Sequence, residues 1–381
     1  MRNRCVFTLF LSLCAAAQTP ATPAPESAPA PASLPDSFAW KRVQFSGYVD
    51  TFYHVNYNHP PGRTSQLQAF NFIADKWCLA SATATIQSVP APIGFRVDVG
   101  MGRVYDAFWL SEPSHDGWSR HLLNAYVSVK PAAWHGVQLD FGKFVTSAGA
   151  ELTESHLNWN YSRSLLFAFG PYYHTGLRAS VPVGERWTVG GALVTGWNTV
   201  RDNNTGKTLG FTSTGNFGKV TVANTYYAGP ENTGTNRGWR NFYDSAVTVN
   251  PSSRVSMYLN FDVGNNRTAA APSSTFWGVA GAGRIVLSRN FALAPRLEYY
   301  SDRDGFWTGA PNSFREFTLT AESKLSDNLI SRLEFRRDWS SQPFFQHQAG
   351  PALARRQTML VAGVMIVLSP RLLDFTRTGG K

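Results

Sequence analysis

Long apolar runs are missing. Beyond residue 17 no stretch approaches the ~18 uninterrupted apolar residues that a helical membrane span requires, so helical spans are excluded as the basis of the fold. Cysteine is nearly absent. Cys5 and Cys14 fall in the N-terminal apolar stretch, which leaves Cys78 alone among the remaining residues. A lone cysteine excludes an internal disulfide framework and a thiolate metal cluster, and the expected role for Cys78 is that of a small apolar strand residue. Charge is sparse at 16% of residues. The net charge is +10, and losing Arg2 and Arg4 with a leader lowers it by two to +8, without any basic run or recognition helix, so nucleic acid is not an expected partner. Catalytic signatures are lacking as well. The eight histidines are scattered with no His-Glu-x-x-His and no paired ligand spacing, so no metal is expected. Asn204-Thr205-Gly206-Lys207-Thr208 has Arg201 where a phosphate loop needs its first glycine. No catalytic residue and no cofactor is expected.

What is present begins with an export signal. Met1-Arg2-Asn3-Arg4 is basic, Cys5 to Ala17 is apolar or small, and Ala15-Ala16-Ala17 offers a cleavage site before Gln18. Residues 1–17 therefore read as a signal peptide. A lipid anchor at Cys14 is the weaker alternative, since Leu13 stands where a small residue is wanted. Residues 18–37 form a Pro/Ala tract without an aromatic residue, expected to be an extended periplasmic tail. Residues 38–381 read as one domain rich in aromatics and glycine.

A period of two dominates that domain. In 254–263, Val255, Met257, Leu259, Phe261 and Val263 oppose Arg254, Ser256, Tyr258, Asn260 and Asp262. In 93–101, Phe95, Val97, Val99 and Met101 oppose Arg96 and Asp98, and around 329–337 Leu329, Leu333 and Phe335 oppose Arg332, Glu334 and Arg336. Alternate strand residues point to opposite faces, so each segment is apolar on one side and polar on the other. The pattern predicts strands at 43–57, 76–88, 93–103, 122–129, 134–144, 173–181, 186–198 and 207–213, then at 217–228, 239–249, 253–264, 275–287, 291–301, 313–324, 328–338 and 358–368. Every second connection is a tight turn of Pro, Gly, Asn, Asp or Ser, such as 89–92, 214–216, 250–252 and 288–290. The others are long: 58–75, 104–121, 145–172, 199–206, 229–238, 265–274, 302–312 and 339–357. Short turns at one end and long loops at the other predict an all-β transmembrane antiparallel barrel of about sixteen strands, fourteen to eighteen staying open. The short turns are then periplasmic and the long loops extracellular. Tyr57, Trp187, Trp197, Tyr226, Trp239 and Tyr299 are placed for interfacial girdles.

One stretch carries a more specific signature. Gly149-Ala150-Glu151, Asn158-Trp159-Asn160-Tyr161-Ser162-Arg163-Ser164, Phe167, Pro171 and His174-Thr175-Gly176 follow closely, and Gly196-Trp197-Asn198, Asp202-Asn203-Asn204 and Lys207 complete the run. This resembles the β-barrel porin family described as OmpL-like, with weaker likeness in strand pattern over 43–368. The resemblance implies a bacterial outer-membrane barrel that lets small hydrophilic solutes or ions diffuse passively, with outer-membrane lipid as its other partner. Homo-oligomerisation as a trimer stays open, as do the solute and the ion preference. One departure is that the chain runs past Phe375 to Lys381 instead of ending on an aromatic residue.

Strand parity nominates pore-lining residues: Asp50, Arg96, Asp98, Asp140, Arg178, Arg254, Asp262, Arg296, Glu298, Arg332, Glu334 and Arg336. In a wet lumen these are expected to stay hydrated, with some pairs holding the wall together as ion pairs. The long connection 145–172 mixes Leu152, Leu165, Leu166 and Phe167, which need burial, with Glu151, Glu154, Asn158, Asn160, Tyr161 and Arg163, which need polar company. Such a loop is expected to fold inward and constrict the lumen, with packing over the rim as the alternative that stays open. Two other readings stand beside the porin: an outer-membrane hydrolase, and a secreted soluble sugar-binding β-protein.

Overall fold

A computed structural model of the chain describes residues 43–115, 117–267, 273–348, 350 and 352–372. The expected signal peptide 1–17, the Pro/Ala tail 18–37 and the C-terminal extension past Phe375 lie outside the described residues. Period-two segments became strands. The first eight are β1 (Val43–Asn56), β2 (Lys76–Ser88), β3 (Ile93–Met101), β4 (Leu122–Val129), β5 (Gln138–Val145), β6 (Tyr173–Val183), β7 (Trp187–Val194) and β8 (Thr208–Asn216). The next eight are β9 (Val220–Gly229), β10 (Arg240–Ser252), β11 (Val255–Asn266), β12 (Ser274–Ser288), β13 (Phe291–Asp302), β14 (Asn312–Ser326), β15 (Leu329–Ser340) and β16 (Arg356–Leu372). Each pairs antiparallel with its sequence neighbour, and β1 pairs with β16 to close the ring. Closure leaves no unpaired edge. Two short helices lie in long loops, α1 (Arg103–Ser111) and α2 (Leu165–Phe169), and among the described residues no helix is long and apolar enough to cross a membrane.

Several boundaries differ from the period-two reading. The strand expected from 134 begins at Gln138, because Trp134 closes a single 3-10 turn and His135 follows in a left-handed conformation. The strand expected to reach 198 stops at Val194, since Gly196 (φ 138°) and Asn198 (φ 52°) bend the chain away. The turns predicted at 214–216 and 250–252 are strand residues of β8 and β10, and the chain reverses two or three residues later.

Alternation sorts the side chains. Phe141, Leu193, Phe211, Leu259, Leu297 and Leu333 are exposed on the outer face, while Asp50, Asp98, Arg296, Glu316, Arg332 and Glu334 are buried inside. In water this surface would be an aggregation liability. Against hydrocarbon it is the stable arrangement, because a closed barrel satisfies its own backbone. Of the residues placed for girdles, Tyr57, Trp187 and Trp239 are exposed, but Trp197 is buried, edge to face with Phe242 at 5.1 Å. Cys78 is buried in β2 beside Phe52.

Candidate functional site

The connection between β5 and β6 folds into the barrel, driven by its own apolar residues. Leu165 and Leu166 are buried among Phe276, Tyr300 and Phe314, which point inward from β12, β13 and β14. The five-residue helix α2 that carries them starts at Ser164, whose Oγ accepts from the Phe167 amide at 3.0 Å. Tyr161 packs on inward-facing Phe52 of β1, with ring centroids 5.8 Å apart. The inner face is thus polar only in part. Inward-pointing strand residues are aromatic where the loop lies against them, as at Phe52, Phe276, Tyr300 and Phe314.

The wall charges hold the loop by its backbone. Arg332 donates to the carbonyls of Ser155 (2.7 Å), Asn158 (2.5 Å) and Asn160 (3.2 Å), and pairs with Glu322 at 2.7 Å. Arg296 bridges Glu316 at 2.9 Å and the loop's Glu151 at 2.6 Å, and donates to the Ser162 carbonyl. Arg336 pairs with Asp338 and donates to the Arg163 carbonyl at 2.6 Å. Acids complement this. Glu334 accepts from the amides of Tyr161 and Ser162, and Glu298 accepts from Leu165 (2.7 Å) and Leu166 (2.8 Å) at the start of α2. Asp50 accepts from the Tyr161 hydroxyl at 2.9 Å. Asp262 lies beside Asp244, with Asn260 donating to both. Arg296, Arg332 and Arg336 were expected to be hydrated. Their side chains are instead fully enclosed, because the loop's carbonyls and carboxylates take the place of water.

The loop also braces itself. Arg163 donates to the carbonyls of Leu152, Thr153 and Tyr161, and Asn158 bridges the Leu152 amide and carbonyl at 2.8 Å each. Asn160 reaches the Ala294 carbonyl at 2.9 Å and Thr320 at 2.8 Å. Glu151 also accepts from the Ser164 amide at 2.6 Å, which brings the two ends of the inserted segment together. Burial raises the Glu154 carboxyl, with Arg96 at 3.5 Å opposing the shift. Burial, then the nearby Arg332 and Arg163 guanidiniums, pushes His156 down to about 4, so its ring is neutral near neutral pH.

The rest of the lumen wall is different. Arg96 pairs with Asp98 at 3.0 Å, and Arg178 pairs with Asp140 at 2.8 Å while stacking on Phe144. Asp140 also accepts from Ser128 and Gln138. Arg254 is not on the wall. It occupies the turn between β10 and β11 and is exposed, because strand pairing ends at Ser252 and Val255 and parity has no meaning beyond that point. Sequence reasoning did not single out Asn260 as an anchor, though its side-chain oxygen accepts from the Ala150 amide at 2.8 Å and so fixes where the loop turns inward. Its signal was a polar residue on the charged face of β11.

Gly363 of β16 is a second anchor that composition could not reveal. A Cβ there would lie 2.4 Å from the Tyr161 ring, so only glycine lets the loop approach this wall. Gly363→Val should push Tyr161 off Asp50 and cost about 1–3 kcal/mol through overpacking. A urea midpoint and single-channel conductance both unchanged from the native barrel would contradict this contact.

No curated protein matches the sequence. Among solved structures, the barrel is similar to the trimer form of OmpT, an outer membrane protein of Vibrio cholerae, at 13% identity and a TM-score of 0.58, covering 85% of this chain and 98% of that one. It is similar to the anion-selective porin from Comamonas acidovorans at 10% identity and a TM-score of 0.56, covering 86% and 99%. It is also similar to the outer membrane channel DcaP of Acinetobacter baumannii at 10% identity and a TM-score of 0.55, covering 85% and 97%. These likenesses show the fold. The family is shown by the sequence itself: the model of the β-barrel porin-2, OmpL-like family matches residues 42–368, and the chain belongs to that family of porins.

Proposed function

We propose that small hydrophilic solutes and ions diffuse passively between the inserted loop and the β3–β8 wall, with no catalytic step. The observation that carries this reading is the asymmetry of the lumen. Inward-facing Ala280, Ala294, Thr318 and Thr320 are sealed beneath the loop. On the other side Ser180, Gly190, Ala192, Thr212 and Thr214 are small and half-exposed, which leaves room along β6–β8. The side chains of Arg96 and Arg178 keep 32% and 33% of their surface exposed, whereas Asp98 and Asp140 behind them keep 1% and 7%. A solute on this path meets guanidinium before carboxylate, which favours anions. The N-terminal 1–17 fits export to the outer membrane as a cleaved leader, and the assembly that fits such a barrel is a homotrimer.

Planar bilayers test the reading. The native barrel should show steady channels with a reversal potential on the anion side under a salt gradient. Arg96→Ala combined with Arg178→Ala should move that potential towards cations while leaving conductance within about a factor of two, because side chains shrink and the loop stays anchored. An unmoved reversal potential would show that the passage runs elsewhere. Absence of channels together with esterase or protease turnover in detergent would displace the porin reading.

A further inference from the structure

Diffusion through the lumen leaves part of the outer surface unexplained. A face that meets only acyl chains should carry no charge, yet Arg315, Arg337 and Arg356 all point outward. Register establishes this. Arg315 of β14 pairs with Tyr299 of β13 and Trp339 of β15, and Trp339 pairs with Arg356 of β16. One row deeper, Leu297, Phe317, Arg337 and Thr358 lie side by side. The alternate positions, Glu298, Glu316, Arg336 and Asp338, carry the charges that face the lumen. Tyr299 and Trp339 mark the level at which aromatic side chains meet lipid headgroups, where arginine is tolerated. No carboxylate stands in either row. Among the described residues none of the three arginines forms an ion pair. Arg337 lies over the Trp339 ring at 5.4 Å, and its Nε is buried without a hydrogen-bond partner.

Arg315 borders a groove of about 740 Å³ on this outer face, lined by Val279, Gly281, Leu297, Tyr299, Phe317 and Trp339, and by Glu298 and Glu316, whose carboxylates turn inward to the Leu165 and Leu166 amides and to Arg296. Gly281 keeps it open: a Cβ there would meet nothing closer than 3.8 Å. We propose that this surface seats a phosphorylated lipid, its acyl chain in the groove and its headgroup phosphate held by Arg315 and Arg337 with Arg356 alongside. Charge complementarity selects the occupant. Guanidinium binds phosphate through paired N–H donors, and these guanidiniums have no protein carboxylate to satisfy them. The site lies at the long-loop end of the strands. In an outer membrane that end meets the external leaflet, so a glycolipid phosphorylated on its sugar headgroup fits. The site goes beyond solute diffusion and rests only on the barrel spanning the membrane with its long loops outside.

Bis-phosphorylated lipid A and its dephosphorylated form, titrated onto the barrel in dodecylmaltoside micelles and read by native mass spectrometry, test the site. The native barrel should hold the phosphorylated form at least tenfold more tightly. Arg315→Gln with Arg337→Gln and Arg356→Gln should abolish that difference, whereas Arg289→Gln in the short β12–β13 turn should leave it intact. Gly281→Leu fills the groove without touching a charge and should weaken both lipids, an independent route should the arginine variant not fold. Equal binding of the two lipids by the native barrel, or native affinity in either the arginine or the groove variant, overturns the proposal. Conductance measured on the same proteins keeps the two readings apart, since the variants should conduct as the native barrel does. A barrel that discriminates the lipids yet passes no current would count against diffusion and not against the lipid site.

Discussion

Replacing 152–164 by four Gly/Ser residues should raise single-channel conductance roughly two- to threefold, because a sixteen-stranded barrel without its insert encloses an aqueous channel. The join is short. Glu151 already touches the Ser164 amide at 2.6 Å, so a brief flexible linker spans the gap without pulling on β5 or β6. Assembly should survive, since every strand pairs with its neighbours through backbone bonds that the loop does not share. The groups the loop had covered would then meet water. Arg296, Arg332 and Arg336 would be freed together with Glu316, Glu322, Glu334 and Asp338, so acids would outnumber bases on the newly wetted wall, while Glu298 keeps the Leu165 and Leu166 amides. Ion preference should therefore shift towards cations as conductance rises. Native conductance in a correctly assembled variant would mean that the passage never ran past this loop.

The barrel was legible because lipid outside and polar groups inside write a period of two onto every strand, and because turn residues at one end contrast with long connections at the other. Strand existence followed from this pattern, including the short segment at β8. Strand ends did not. At Trp134, Gly196 and Ser252 the chain leaves or keeps the ladder through local φ/ψ choices that alternation does not encode. The lumen was legible by sign and not by use. Parity assigned Arg296, Arg332, Glu298 and Glu334 to the inner face, where they are buried, but a side chain facing inward can meet either water or another part of the chain. Which one depends on a contact across more than a hundred residues, such as Arg332 with the carbonyls of 155–160. The loop's mixture of leucines and charged residues did announce that it would be buried. Nothing local announced that Gly363 makes room for Tyr161, or that Arg315 and Arg337 point outward.

Leu259→Arg should lower stability by about 2–4 kcal/mol if its position is near the bilayer midplane, the range observed for arginine on a barrel's lipid face. Leu259 is the fifth residue of β11, pairs with Val247 and Gly281, and is 49% exposed on the outer surface. Met257 and Phe261, the next outward residues along the strand, are apolar and exposed too. Gly281 beside it offers no side chain to shield the charge. The arginine must therefore bend towards an interface, thin the bilayer or draw in water, and each of these destabilises the folded barrel relative to the unfolded chain. Arg254→Ala supplies the contrast. Arg254 is exposed in the turn at the end of the same strand, and its loss should change stability by no more than about 0.5 kcal/mol and leave the reversal potential unmoved. Urea unfolding in phospholipid vesicles, followed by tryptophan fluorescence, measures both variants against the native barrel. A midpoint for Leu259→Arg equal to the native one would mean that this face does not meet hydrocarbon, and the assignment of inner and outer walls would have to be reversed.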